Sequence, residues 1–283
     1  MSSAPHTGRD PICVLAEHED TVAAREAAQS LGLRLPPSDA RAHRRPGVTV
    51  TDEQIGLVLL VLDAEREQHP LRLYVHGEGL LVVGDAAALE PVRPVLADPS
   101  GDARTTLVAA VLAVARHCED VLDQIDDDSQ ELATRVTGYS SSPQRRTMGR
   151  LRTELFRIGE TQAVQQNLFS ADEEFAQTMG EERRRLIARA ATAFGANHST
   201  TGRLYAMLGD VLAEQDTVVS ERLTLVATIF LPLTLTTGFF GMNFQWMTDR
   251  IGGPTAFVLF GLVVPAALTL ATLVVVRRLT RSV

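Results

Sequence analysis

The segment that most limits what this chain can become is Leu223–Asn243, LTLVATIFLPLTLTTGFFGMN, an uncharged run that closes on Gly-Met-Asn. A second uncharged run, Ile251–Val276, follows close behind. As a helix, Leu223 to Phe240 is about 27 Å long, near the roughly 30 Å hydrocarbon core of a bilayer. Pro232 and Pro265 would be poor choices inside soluble helices, but membrane helices tolerate proline because neighbouring groups re-satisfy the freed backbone. These two runs predict membrane spans rather than a pair of buried core helices. Arg222 precedes the first, and Arg277, Arg278 and Arg281 follow the second. The positive-inside rule therefore predicts both termini in the cytoplasm, with Phe244–Gly253 as the external hairpin. That hairpin holds Asp249, Arg250 and the sole tryptophan, Trp246, a residue suited to an interfacial anchor.

The remainder is long enough to fold one or two soluble domains. With 35 acidic against 27 basic residues and a net charge of −8, the chain is a poor partner for nucleic acid. Histidine aside, every basic residue is arginine. Cys13 and Cys118 are far apart and outside the apolar runs, which predicts free cytosolic thiols. The N-terminus has no apolar h-region, so no cleavable signal peptide is expected and insertion falls to the two spans.

The soluble part divides at Asp98-Pro99-Ser100-Gly101. Before it, Ile12–Leu15, Leu71–Val75 and Leu80–Val83 read as strands, the last two joined through His76-Gly77-Glu78-Gly79 as a hairpin. Thr21–Leu31, Asp52–Gln68 with Thr51 as its cap, and the proline-interrupted Ala86–Leu96 read as helices, and Pro36–Gly47 as a surface loop. After it the chain becomes helical. Asp102–Val136 carries an apolar stripe of helical period (Leu107, Val111, Val114, Cys118, Val121, Leu122, Ile125, Leu132) that stops near Gly138. Gln144–Leu168 reads as a helix returning antiparallel to it. Ser170 and Glu173 have the spacing of a capping box, and from about Ala171 a helical pattern runs to Phe240, roughly 105 Å if unbroken. Gly195–Thr201 is where such a helix is weakest.

Along the first span, steps of three and four residues from Thr217 give Ser220, Thr224, Ala227, Leu231, Thr234, Gly238 and Gly241. All but Leu231 are small or hydroxylated. Such a stripe serves either a water-filled pathway or close packing between membrane helices. A ring of leucines would form a constriction that gates by dewetting. Neither span has an ionisable side chain in its core, so a bare divalent cation would lack the anionic oxygen ligands it needs, whereas Mg²⁺ sheds its water reluctantly. Two helices cannot enclose a hydrated ion, so a pathway requires several copies around an axis.

Ala227-Thr228-Ile229-Phe230-Leu231-Pro232-Leu233-Thr234, Gly238, and Gly241-Met242-Asn243-Phe244 resemble the sequence hallmark of the CorA family of divalent-cation transporters. The resemblance is strong over roughly Leu223–Arg278 and fainter over the soluble part. It implies a homopentameric channel for Mg²⁺, often passing Co²⁺ and Ni²⁺, with a funnel-shaped cytoplasmic α/β domain, a long stalk helix and two C-terminal transmembrane helices. By that likeness Gly241, Met242 and Asn243 form the selective outer mouth. Thr234 supplies a hydroxyl ring, Leu223 and Leu231 match hydrophobic gate positions, and Arg277, Arg278 and Arg281 form the basic tail. Asp249 would gather cations outside. Thr217, Ser220 and Gln245 depart from the familiar pattern, which touches the inner gate and the outer charge. Met242 favours the magnesium branch over a related zinc-transporting branch, which usually has isoleucine there.

The implied layout is a flexible N-terminus (1–10), an α/β domain (11–100), an antiparallel helical pair (101–169) and a stalk (170–222). The pore-lining span (223–241), external loop (242–253), second span (254–276) and basic tail (277–283) follow. In the family, cytoplasmic Mg²⁺ between domains holds the channel closed. Asp126, Asp127 and Asp128, or Glu181 and Glu182, are candidates for such sites, each also readable as a solvated helix face. The scattered histidines give no zinc spacing, and no nucleotide loop or nucleophile elbow appears. An enzymatic role has no support in the residues, and no cofactor is expected beyond the transported or regulatory cation, Mg²⁺ or Co²⁺, Ni²⁺ or Zn²⁺. A membrane-anchored sensor without flux is the contrasting reading.

Overall fold

The computed structural model describes residues 12–15, 22–35, 45–51, 54–99, 101–135, 142–171, 173–241 and 253–280. The chain separates into two compact units, one of residues 1–135 and 142–210, the other of residues 136–141 and 211–283.

The first unit is built on a five-stranded sheet in the order β1-β5-β4-β3-β2. Its strands are β1 (Ile12–Leu15), β2 (Gly47–Thr51), β3 (Gln54–Leu62), β4 (Gln68–His76) and β5 (Gly79–Val83). β1 runs parallel to β5, and the other pairs are antiparallel. The hairpin at His76–Gly79 forms as its glycines predict: Gly77 has φ 56° and His76 pairs with Gly79. β2 had no counterpart in the sequence reading, and residues 36–44 of the expected loop before it lie outside the described residues.

Asp52–Gln68, expected to be a helix, is not one: from Gln54 it is the strand β3, then a turn, and Gln68 opens β4, while residues 52–53 lie outside the described residues. In β3, Ile55, Leu57, Leu59 and Val61 are fully buried, while the residues between them are half-buried. An apolar run with leucines at both two- and four-residue spacing satisfies either period, so pairing to β2 and β4 decides it.

Short helices α1 (Val22–Ser30), α2 (Ala86–Leu89) and α3 (Arg93–Ala97) accompany the sheet. α1 covers one face through Ala28, with Leu33, Tyr74, Leu81 and Val83. Pro91 and Pro94 divide the expected Ala86–Leu96 helix into α2 and α3.

On the opposite face lies α4 (Ala103–Arg135). Its predicted stripe is buried from Leu107 to Ile125, Cys118 included, whereas Leu132 is half-buried. Burial, then the charge of Glu119, pushes the Cys118 thiol up to about 12, so it is an inert core thiol. The Cys13 side chain lies outside the described residues.

α5 (Ser142–Ala171), α6 (Glu173–Met179) and α7 (Arg184–Gly241) complete the helical part. Ser170, expected as a helix cap, sits inside α5, and the Glu173 side chain of the expected capping box lies outside the described residues. Nor does one helix run from Ala171: Gly180, at φ 88°, and a 3₁₀ turn at Glu181–Arg183 separate α6 from α7. Arg183 fixes that corner by donating to the Met179 carbonyl (2.9 Å) and Thr105 Oγ1 (3.1 Å) and pairing with Asp102. Beyond it α7 is unbroken through Gly195–Thr201. Within the first unit α7 runs parallel to α4, touching it at Ala115–Asn197 and Asp126–Arg203, with the Asp102–Arg183 pair just before both helices. It runs antiparallel to α5, where Arg152 stacks on Tyr205 and His198 bonds the Gly159 carbonyl.

The second unit holds the rest of α7 and a C-terminal helical run. That run consists of α8 (Pro254–Ala256), a π-helical stretch (Phe257–Val263) and α9 (Val264–Thr280). The π stretch ends two residues before Pro265, whose missing N–H disfavours a regular ladder there. Among the described residues, one helix, Glu181–Phe239, contains by length and composition a segment able to cross a membrane, and Val258–Val274 is a shorter apolar helix.

Candidate functional site

All seven stripe positions from Thr217 to Gly238, and Gly241, lie on α7. From Ser220 to Ala227 every side chain is exposed, so burial within one chain singles out no face. The hydroxyl chemistry is more informative. Thr217 Oγ1 donates to the Ala213 carbonyl (3.1 Å), Thr224 to Ser220 (2.9 Å) and Thr234 to Phe230 (2.8 Å). Each hydroxyl hydrogen is spent on the helix's own backbone, which leaves two outward lone pairs. Such an oxygen accepts hydrogen bonds and cannot donate one outward. Water around a cation points its hydrogens away from the ion, so these oxygens suit a hydrated cation and disfavour an anion.

Thr228, Thr236 and Thr237 bond the same way, to the Thr224, Pro232 and Leu233 carbonyls at 2.7, 2.6 and 2.9 Å. The back-bond is therefore a property of the whole helix and not of the stripe alone. Pro232 lies inside α7. Leu231, 74% exposed, and Leu223, 65% exposed, make no burial-based commitment in a single chain. Met242, Asn243, Asp249 and Arg281 lie outside the described residues, as do the side chains of Arg277 and Arg278, whose backbone is in α9.

The acidic candidates carry arginine partners within the chain. Asp126 on α4 accepts from Arg203 (2.9 Å) and Gln130 (3.0 Å), which hold its carboxyl below the usual carboxylate range. Asp128 pairs with Arg66 at 2.6 Å, Glu181 with Arg184 at 3.2 Å and Glu182 with Arg183 at 2.6 Å, while Asp127 is exposed. Among the described residues no three His, Cys, Asp or Glu side chains converge on a point fit for a metal.

Two groupings escaped the sequence reading. One is a buried polar seam at the α4–α5–α7 junction. Gln165 there accepts the N–H of Leu60 on β3 (2.8 Å), past Gly47 where β2 begins, and Asn197 donates to the Ala115 carbonyl (2.8 Å). The other is His69 between Asp63 and Asp85. Asp85 before an alanine run was readable as a helix cap, but nothing local announced its second partner.

A family profile described as CorA-like Mg2+ transporter protein matches residues 19–278. No curated protein sequence matches the chain. Among solved structures, the chain is similar to the CorA magnesium transporter from Methanocaldococcus jannaschii. The TM-score is 0.69 at 13% identity, over 94% of this chain and 89% of that one. It also resembles the ZntB cytoplasmic domain from Vibrio parahaemolyticus (TM-score 0.59, 13% identity, 74% and 87% covered). The full-length CmaX protein is a third likeness (TM-score 0.56, 16% identity, 93% and 83% covered). At these identities the likeness is one of fold.

Proposed function

Because the chain belongs to the CorA-like family of membrane-embedded divalent-cation transporters, we propose that it passes hydrated Mg²⁺, and with it Co²⁺ and Ni²⁺, through a pore lined by α7 from five copies. The observation that carries this reading is the pair of back-bonded threonines Thr224 and Thr234 on a span with no charged side chain between Leu223 and Gly241, with Thr217 back-bonded in the same way on the stalk before it. Acceptor-only oxygens on an uncharged wall stabilise a cation's water shell without the anionic ligands needed to strip it. A wall of this kind needs copies around an axis, since one α7 leaves the stripe unenclosed.

In this reading Gly241, Met242 and Asn243 form the outer mouth, where Asn243 amide oxygens accept from the ion's water, and Asp249 raises the local cation concentration. Leu231, with Leu223, forms the dewetting gate. Both termini are cytoplasmic, flanked by Arg222 and by Arg277, Arg278 and Arg281. Internal Mg²⁺ closes the pore by displacing arginine from acidic groups such as Asp126, Asp128, Glu181 or Glu182, with Asp127 beside them. The likeness to a ZntB cytoplasmic domain favours one competing reading, Zn²⁺ transport by the same architecture.

Reconstitution into liposomes decides between them. Flux of Mg²⁺, Co²⁺, Ni²⁺ and Zn²⁺ is measured in turn, with and without a pH gradient. Mg²⁺ flux indifferent to the gradient is expected. Zn²⁺ flux driven by protons would favour the second reading, and no flux at all would leave a membrane-anchored sensor. Asn243→Ala should abolish Mg²⁺ flux while the oligomer, followed by size-exclusion chromatography, stays intact; normal flux through it would remove the proposed mouth.

A further inference from the structure

His69 stands between two carboxylates carried by different elements. Its Nε2 is 2.8 Å from Asp63 Oδ2 and its Nδ1 is 2.7 Å from Asp85 Oδ2. A neutral imidazole has one N–H and can serve one carboxylate. Both contacts are hydrogen bonds to ionised carboxylates when the ring is the imidazolium, with two N–H donors. Each carboxylate is held from its other side as well. Asp63 Oδ1 accepts the Glu67 N–H (2.8 Å) and so closes the β3–β4 turn, while Asp85 Oδ1 accepts the Ala88 N–H (2.8 Å) and caps α2.

The same turn carries Arg66, at φ 71° the one non-glycine residue with positive φ among those described. Its guanidinium reaches Asp128 on α4 (2.6 Å) and Glu154 on α5 (3.8 Å). A side chain held in the left-handed region persists where surrounding contacts over-determine it. Here those contacts are two ion pairs on α4 and α5 and the turn that Asp63 closes.

We propose that Asp63, His69 and Asp85 form a proton-operated latch that sets how firmly the β3–β4 turn, through Arg66, is tied to α4 and α5. Protonated, His69 joins the turn, the start of β4 and the β5–α2 junction. Deprotonated, it leaves two ionised carboxylates competing for one N–H. One bond is then lost, Asp63 and Asp85 repel each other, and the turn loosens. Other charged or titratable groups on the elements packed there include Glu65, Glu67 and Arg66 in the turn, Arg72 and, at the far end of the strand, His76 on β4, and Glu90, which pairs with His117 on α4 (3.8 Å). Asp128 on α4 and Glu154 on α5 meet Arg66, and Arg157 lies one turn along α5 from Glu154. Burial pulls the His69 pKa down, but the hydrogen bonds and charges of Asp85 and Asp63 outweigh it and raise the value above 6.5, so release falls on the alkaline side.

Hydrogen exchange of the full-length protein in lipid nanodiscs, read by mass spectrometry and corrected for intrinsic exchange, tests the latch. Between about pH 6 and pH 9, protection of the peptide covering Leu62–Pro70 should fall about tenfold, the size expected for losing one charge-assisted hydrogen bond. His69→Gln should show the lower protection at both ends. Constant protection in the unaltered protein, or the same fall in His69→Gln, would overturn the latch. If His69→Gln does not fold, Asp63→Asn serves: removing one carboxylate should move the midpoint to lower pH, and an unmoved midpoint counts against the proposal.

Discussion

Leu231 is the one bulky apolar side chain in a stripe otherwise made of Thr217, Ser220, Thr224, Ala227, Thr234 and Gly238. A ring of hydroxyls holds water, whereas a ring of leucines can expel it, so closure in the proposed pore falls to Leu231 with help from Leu223. Leu231→Ser should conduct even at high internal Mg²⁺, and Ser220→Met should close more tightly than the unaltered protein. Dye-reported influx at several internal Mg²⁺ concentrations checks both, and a fully shutting Leu231→Ser would move the gate elsewhere. Charged residues follow a different logic. Asp126 and Asp128 were legible as a metal-capable run, but their partners, Arg203 and Arg66, are 77 and 62 residues away in sequence. Spacing along one helix carries no information about such partners.

At the scale of elements, α7 is distinguished by how closely α5 approaches it. A Cβ on Gly159 would lie 2.9 Å from Thr201 Oγ1, which is held by donating to the Asn197 (3.1 Å) and His198 (2.7 Å) carbonyls. A Cβ on Gly202 would meet nothing within 4 Å. Gly159→Ala should therefore cost about 1–3 kcal/mol by forcing the helices apart, whereas Gly202→Ala should add up to about 1 kcal/mol of helix stability. Thermal unfolding of the detergent-solubilised protein separates the two; equal shifts would refute the close approach. Farther along the same helix, cysteines at Thr217, Ser220, Ala227, Thr234 and Gly238 should react with water-borne thiol reagents and block flux, and those at Ile229 and Leu233 should not. Labelling all round the helix would mean that the stripe packs against protein or lipid and lines no pore.

For the whole molecule, pH dependence of the soluble unit follows from groups with opposite signs. His69 has a raised pKa, so its contribution is full below 6.5 and is lost as pH rises through the higher folded value. For Asp85 and Asp102, burial alone would raise the carboxyl pKa. The Ala88 N–H and His69 at the first, and Thr105 and Arg183 at the second, outweigh it and hold both below 3.8. Their contributions are full above that value and fade as pH falls through the lower folded ones. Thermal midpoints should form a plateau between about pH 4 and 6.5 and decline on both sides, with the alkaline decline reduced in His69→Gln. A decline on the alkaline side of equal size in both proteins would assign it to another group. Length and period, which are local quantities, were readable from residue order alone: the apolar run of Leu223–Phe240, the α4 stripe, the His76–Gly79 hairpin and the hydroxylated face of α7. What depends on which distant segments become neighbours was not. Ile55, Leu57, Leu59 and Val61 fit a helix or a strand until β2 and β4 lie beside them. The start of α7 rests on Arg183 meeting Asp102, 81 residues earlier, and His69 finds its two carboxylates by the order of strands in the sheet. The chain's own pattern determines which segments are helical, apolar or hydroxylated. Tertiary structure decides which charges pair and which ambiguous run becomes a strand, because those energies exist once the segments have met.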